Sequence, residues 1–134
     1  MNKSNENLKS LLNGVETIAI IGVSQNSRRD SNKVMKYLIE RGYEVFPINP
    51  YEKGNKIHGK KCYSHLREIK EKIDMIDIFR ASEHVLQITQ DALKAGIKII
   101  WTQEGIIDHR SATLAKNSGV TFVMNECPKK VLEN

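Results

Sequence analysis

The chain has 134 residues, 40% of them hydrophobic and 28% charged, with a net charge of +5. That is enough apolar chain for one domain with a real core, and it excludes a disordered or fibrous protein. No apolar run approaches the roughly 20 residues that a membrane span needs, and the polar start, with Glu6, does not read as a targeting signal. Cys62 and Cys127 are far apart and form no CxxC pair, so they read as free thiols in a reducing cytoplasm. The basic residues are scattered without interleaved aromatics. The same charge would attract a phosphorylated small molecule, and a solvated basic surface accounts for most of the lysines.

In chain order, Leu8, Leu11, Leu12 and Val15 recur at helical spacing. They predict a leading helix within residues 1–14 that packs on a domain formed by 15–134. Thr17–Gly22 reads as a first strand. A helix over Asn32–Arg41 follows, capped by Asp30, Ser31 or Asn32 and ended by Gly42. Glu44–Asn49 is a second strand, broken by Pro50. The Gly-containing, basic stretch Tyr51–Tyr63 suggests a small irregular hairpin, and Ser64–Lys72 a short helix. Met75–Phe79 is a third strand. Ser82 can cap a helix to about Ala95, with Gly96 as its stop. Ile97–Trp101 is a fourth strand. Asp108 can cap a helix ending before Gly119. Val120–Met124 is a fifth strand, and "CPKKVLEN" a tail.

Strands and helices in alternation predict an α/β fold: a doubly wound, Rossmann-like parallel sheet of about five strands with helices on both faces. An order such as 3-2-1-4-5 would suit it. Ligands then bind beyond the carboxyl ends of the strands, where the order reverses. The loops after Gly22, Asn49, Phe79 and Trp101 would share that rim.

The first loop departs from the dinucleotide fingerprint, because Ser24 and Ser27 stand where further glycines are usual. It can still hold phosphate. Gly22 lets the backbone approach, Ser24 adds a hydroxyl, and the next helix directs its N-terminus there. Arg28, Arg29 and Lys33 add charge. The second strand ends in the neutral pair Asn49–Pro50 rather than the carboxylate typical of an NAD site. This leaves NADP and coenzyme A. Phe79 and Arg80 end the third strand, and Trp101 and Gln103 the fourth. No metal-ligand spacing links His58, His65, His84 and His109. Ser24 has no evident base. Glu104 and Cys127 are isolated candidates for a base and a thiol.

Together, "IAIIGVS", "SNKVMKYLIERGYEVFPINP", "GKKCYSHL", "DMIDIFR", "WTQEGI" and "NECPK" resemble the stand-alone bacterial and archaeal CoA-binding proteins. That family is similar to the CoA-binding domain of the succinyl-CoA synthetase alpha subunit. The resemblance covers residues from about 15 to 130. It implies coenzyme A or an acyl-CoA at the sheet's carboxyl edge. Gly22, Val23 and Ser24 would meet the diphosphate, and Arg28, Arg29, Ser31 and Lys33 would lie near phosphates. Asn49 and Pro50 would border the nucleotide. Phe79, Arg80, Val85, Trp101 and Gln103 would line the rest. Asp30 departs from the family's usual proline and would oppose a phosphate unless an arginine neutralises it. The synthetase's phosphorylated histidine lies in a domain this chain lacks. The reading is thus a nucleotide-ligand module without catalysis of its own, free of membrane and nucleic acid. An NADP-dependent oxidoreductase and a nucleic-acid-binding domain stand as alternatives.

Overall fold

A computed structural model describes residues 4–134, so the first three residues of the expected leading segment lie outside the described residues. In chain order the elements are α1 (Asn5–Asn13), β1 (Thr17–Ile21), α2 (Asp30–Glu40), β2 (Glu44–Ile48), the hairpin β3 (Lys56–Ile57) and β4 (Lys60–Lys61), β5 (Met75–Ile78), α3 (Val85–Lys94), β6 (Ile99–Thr102), α4 (His109–Asn117), β7 (Thr121–Val123) and α5 (Pro128–Glu133). Single 3-10 turns occupy Pro50–Glu52, Leu66–Glu68 and Ser82–His84.

Five strands form one parallel sheet in the order β2-β1-β5-β6-β7. Counting these strands alone, the order is 2-1-3-4-5 and not the expected 3-2-1-4-5. Two features decide it. The outer edge of β2 is already taken: Tyr63 N donates to Pro47 O at 2.9 Å and Asn49 N to Tyr63 O at 2.8 Å, so the hairpin's return segment lies there. Beside β1, the Asp74 carboxylate accepts the amides of Glu16 at 2.9 Å and Thr17 at 3.2 Å, which pins the start of β5 to the start of β1. The order therefore reverses between β1 and β5.

The strands are buried on both faces, as their near-continuous apolar runs require. Ile18, Ile20, Met75, Trp101 and Val123 meet α1, α2 and α5. Ala19, Ile21, Ile76, Ile78 and Ile100 form the opposite face with α3 and α4. In α1, Leu8 and Leu12 are buried, each contributing about 1.5–3 kcal/mol. Tyr43 Oη donates to Leu12 O at 2.7 Å beside them.

Three expectations are corrected. Ser64–Lys72 forms only the turn Leu66–Glu68, because the Glu68 carboxylate folds back to accept Ser64 N at 2.8 Å and Ser64 Oγ at 3.0 Å. Those bonds hold its pKa down to about 2. The chain beyond is drawn past the sheet to bury Ile73. Ser82 does not cap the third helix; its Oγ accepts Ile107 N at 2.9 Å from the loop after β6. "CPKKVLEN" is no loose tail. Pro128 starts α5, and Val131 and Leu132 are buried against the α1–α2 face. Asp108 does cap α4, accepting from the amide and the hydroxyl of Ser111.

Candidate functional site at the carboxyl edge of the sheet

The crevice between the ends of β1 and β5 is built around Gly22. Its φ is +94°, and a Cβ there would stand 2.9 Å from Phe79 O and 3.0 Å from Arg80 Cδ. Only glycine lets the two strand ends approach so closely, and the approach brings the half-buried Arg80 against the first loop. Gly22 N donates to Ile48 O at 2.8 Å, so the end of β2 is held there as well.

The loop from Val23 to Arg29 is held in place by side chains from three segments. Ser31 Oγ accepts Ser24 N at 3.0 Å, and Asn32 Nδ2 donates to Ser24 O at 2.9 Å. Ser24 Oγ accepts Asn26 N at 3.0 Å. Asn49 Nδ2 donates to Val23 O at 2.8 Å while its Oδ1 accepts Tyr51 N at 3.0 Å. Glu52 Oε2 accepts Gln25 N at 3.3 Å. The loop is therefore pre-formed, and less ordering is left to be done on binding.

Sequence reasoning assigned Asp30, Ser31 or Asn32 to capping α2. Instead Arg29 is the N-cap residue and no side chain caps the helix. The serine and the asparagine hold Ser24, which leaves the positive end of the helix for an anion. Arg28, Arg29 and Lys33 are exposed around it, and among the described residues no acidic side chain pairs with them or with Arg80. Asp30 stands at the helix start. No ion pair joins it to an arginine among the described residues; Lys130 of α5 is bound to Glu104 at 2.9 Å, which raises its pKa, with a smaller contribution from Asp30. Glu104 is thus engaged in an ion pair, and the Cys127 thiol is buried.

The remaining expected residues divide. Pro50 is exposed and Phe79 half-buried at the rim. Gln103 is only 7% exposed, and its buried Oε1 has no protein donor, so it can accept a hydrogen bond from a ligand that reaches it. Asn49 borders the rim, but both ends of its amide are engaged by the protein, so it acts by holding the loop. Val85 and Trp101 are corrected: both are wholly buried and offer no lining surface. Val85 packs in the core on the α3 face, and Trp101 Nε1 donates to Glu126 O at 2.9 Å.

Two residues escaped the sequence reading. Asn32 links the loop to His58, whose Nε2 lies 2.8 Å from Asn32 Oδ1 and 3.2 Å from Asn32 O. Both partners are acceptors, so Nε2 carries the hydrogen. His58 holds a left-handed φ of +50°, costing about 1–2 kcal/mol for a residue with a Cβ. Nothing in the spacing of the histidines signals a contact across 26 residues.

A cavity of 680 Å³ lies at the opposite edge of the sheet, where β5 and β6 begin, lined by Leu66, Ile69, Ile73, Ile97, Lys70 and Lys94. It lacks the helix start and the strand reversal that mark the other edge. No helix among the described residues is long and apolar enough to cross a membrane.

A five-stranded parallel sheet with helices on both faces, its order reversing between β1 and β5, is a Rossmann-like α/β architecture. The chain belongs to the CoA binding domain family, whose model matches residues 16–133. It is 31% identical over 128 residues to the uncharacterized protein YneT of Bacillus subtilis, covering 96% of this chain and 93% of that one. It is also 31% identical over 97 residues to the alpha subunit of an ADP-forming acetate–CoA ligase I of Pyrococcus furiosus; the match takes in 69% of this chain but only 21% of the ligase subunit. Among solved structures, a hypothetical protein from Pyrococcus horikoshii OT3 superposes with a TM-score of 0.91 at 33% identity, over 98% of this chain and 91% of that chain.

Proposed function

We propose that this chain binds coenzyme A or an acyl-CoA at the carboxyl edge of its sheet, as a binding module without chemistry of its own. The observation that carries the reading is the crevice at Gly22, where Arg80 lies against the close strand approach and α2 begins without a side-chain cap; Arg28, Arg29 and Lys33 stand exposed at that helix start, with no acidic partner among the described residues. Membership of the CoA binding domain family supports it. The diphosphate would lie over Gly22–Ser24 at the start of α2, with Arg28, Arg29, Lys33 and Arg80 around the phosphates. The pantetheine arm would run past Phe79 toward Gln103. The neutral end of β2 favours CoA over a nicotinamide dinucleotide.

Thermal shift with CoA, NADP and NAD tests this directly. A ligand at 100 times its dissociation constant stabilises the native state by about 2.7 kcal/mol. CoA is expected to raise the melting temperature and NAD to leave it unchanged. A clear shift with NADP and none with CoA would reverse the assignment.

Alanine variants of the cations are expected to rank by their setting. A charge-assisted bond contributes about 1.5–3 kcal/mol, or about tenfold to a hundredfold in affinity. Arg80, half-buried against Gly22, should show the larger loss; the exposed Arg28 and Arg29 should show less. Arg110, beside Asp108 at 3.8 Å on α4, is the control. Calorimetric titration with CoA and dephospho-CoA would show which cation meets the 3′-phosphate. If all three variants bind both ligands like the parent, these charges are only a solvated surface.

A further inference from the structure

Tyr51 is 91% exposed, against 43% for Ile107, the other large apolar side chain left in solvent among the described residues. Single exposed aromatics are common, so exposure alone says nothing; placement does. Tyr51 follows Asn49 and Pro50 at the end of β2, in a single 3-10 turn that starts at Pro50. Each flank of that turn is bonded to the phosphate-loop segment. Asn49 accepts Tyr51 N at 3.0 Å and donates from the same amide to Val23 O at 2.8 Å. Glu52 accepts Gln25 N at 3.3 Å. The ring is thus carried on a short, braced turn beside the loop, and among the described residues it enters no aromatic or cation pairing.

We infer that Tyr51 is the platform on which the purine of a bound nucleotide stacks, and so the residue by which the site recognises the nucleoside half of its ligand. The inference rests on the CoA reading and deepens it. A diphosphate on the Val23–Ser24 backbone leaves its nucleoside near the end of β2, where the ring stands. A flat π face suits a purine, and stacking asks for no hydrogen-bonding group from the protein. Pro50, exposed next to it, extends the apolar surface. Because the turn is already braced, little backbone ordering opposes the stack.

The test is calorimetric titration of the parent, Tyr51→Ala and Tyr51→Phe with three ligands: CoA, adenosine 3′,5′-bisphosphate and 4′-phosphopantetheine. Tyr51→Ala is expected to weaken CoA and the adenosine bisphosphate by a common factor of about 5- to 150-fold, the range of base–aromatic stacking. It should leave phosphopantetheine unchanged. Tyr51→Phe, which keeps the ring, should bind CoA like the parent. Equal CoA affinity in the parent and Tyr51→Ala would overturn the platform while leaving the CoA reading standing. An equal loss for phosphopantetheine would also overturn it, since the change would then act through the loop. A parent protein that binds neither CoA nor the adenosine bisphosphate would overturn the CoA reading, and the platform with it.

Discussion

Replacing Asp77 with asparagine is expected to stabilise the protein increasingly as pH rises above about 4. Asp77 lies in β5, paired in register with Ile20 on one side and Trp101 on the other, and it is wholly buried. Neither carboxyl oxygen has a hydrogen-bond partner among the described residues. Burial alone raises its pKa well above the ordinary aspartate value. The folded protein therefore keeps a proton that the unfolded chain has released. A raised carboxyl favours the fold fully at low pH, and that contribution is lost as pH rises toward the folded-state value. The loss runs at about 1.4 kcal/mol per pH unit over that window. Asparagine has nearly the same shape and no charge to form, so the variant lacks this slope. Glu68 and Asp74 act in the opposite sense. Hydrogen bonds from Ser64 and from the Glu16 amide depress their pKa values, so they favour the fold above the carboxylate range and lose that effect as pH falls. Both are present in parent and variant, so they cancel in the difference. Urea unfolding of the two proteins at several pH values between 4 and 8 measures it. A difference that does not change with pH would show that Asp77 is not held neutral in the fold.

Gly22→Ala is expected to damage both stability and binding. At φ +94° an alanine sits in the left-handed region, and its Cβ would press on the Phe79 carbonyl oxygen at 2.9 Å. Left-handed backbone costs about 1–2 kcal/mol and forced overpacking about 1–3 kcal/mol, so a total loss of about 2–5 kcal/mol is expected. The obstacle is main chain and cannot swing aside. Relief must come from parting β1 and β5 at the crevice, which would carry Arg80 away from the loop. CoA affinity should therefore fall beyond what the stability loss explains. Gly14→Ala is the control: its φ is −88° and the added Cβ would rest 3.6 Å from Leu11 O, so a change within about 0.5 kcal/mol is expected. Denaturant unfolding and titration of both variants decide it. If Gly22→Ala matched Gly14→Ala in both, the close approach would not matter to the site.

The loop after β1 shows how far residue patterns reach. Gly22 was legible as a turn glycine, and Ser24, Arg28, Arg29 and Lys33 as polar groups beside a helix start. Their division of labour was not. Ser31 and Asn32 read as helix caps, yet they hold Ser24, because the loop folds back over the first turn of α2. Val85 and Trp101 fell beside the rim in sequence but lie in the core. Position in the chain places a residue near an edge; it does not say whether the next layer of helices will cover it.

The alternation of apolar strands with amphipathic helices was enough to establish the parallel α/β class, because period 2 and period 3.6 are local properties of the chain. The glycine at the end of the first strand was legible as a tight turn for the same reason. The strand order was different. Order depends on which strand edge is free, and that was decided by Asp74 binding the amides of Glu16 and Thr17 and by Tyr63 occupying the outside of β2. The short α5 escaped a pattern reading because its six residues, Pro128–Glu133, are too few to show a period; its buried Val131 and Leu132 become evident only against α1 and α2. The contact of His58 with Asn32 arises in the same way. Contacts between residues distant in the chain come from packing, which no local window contains.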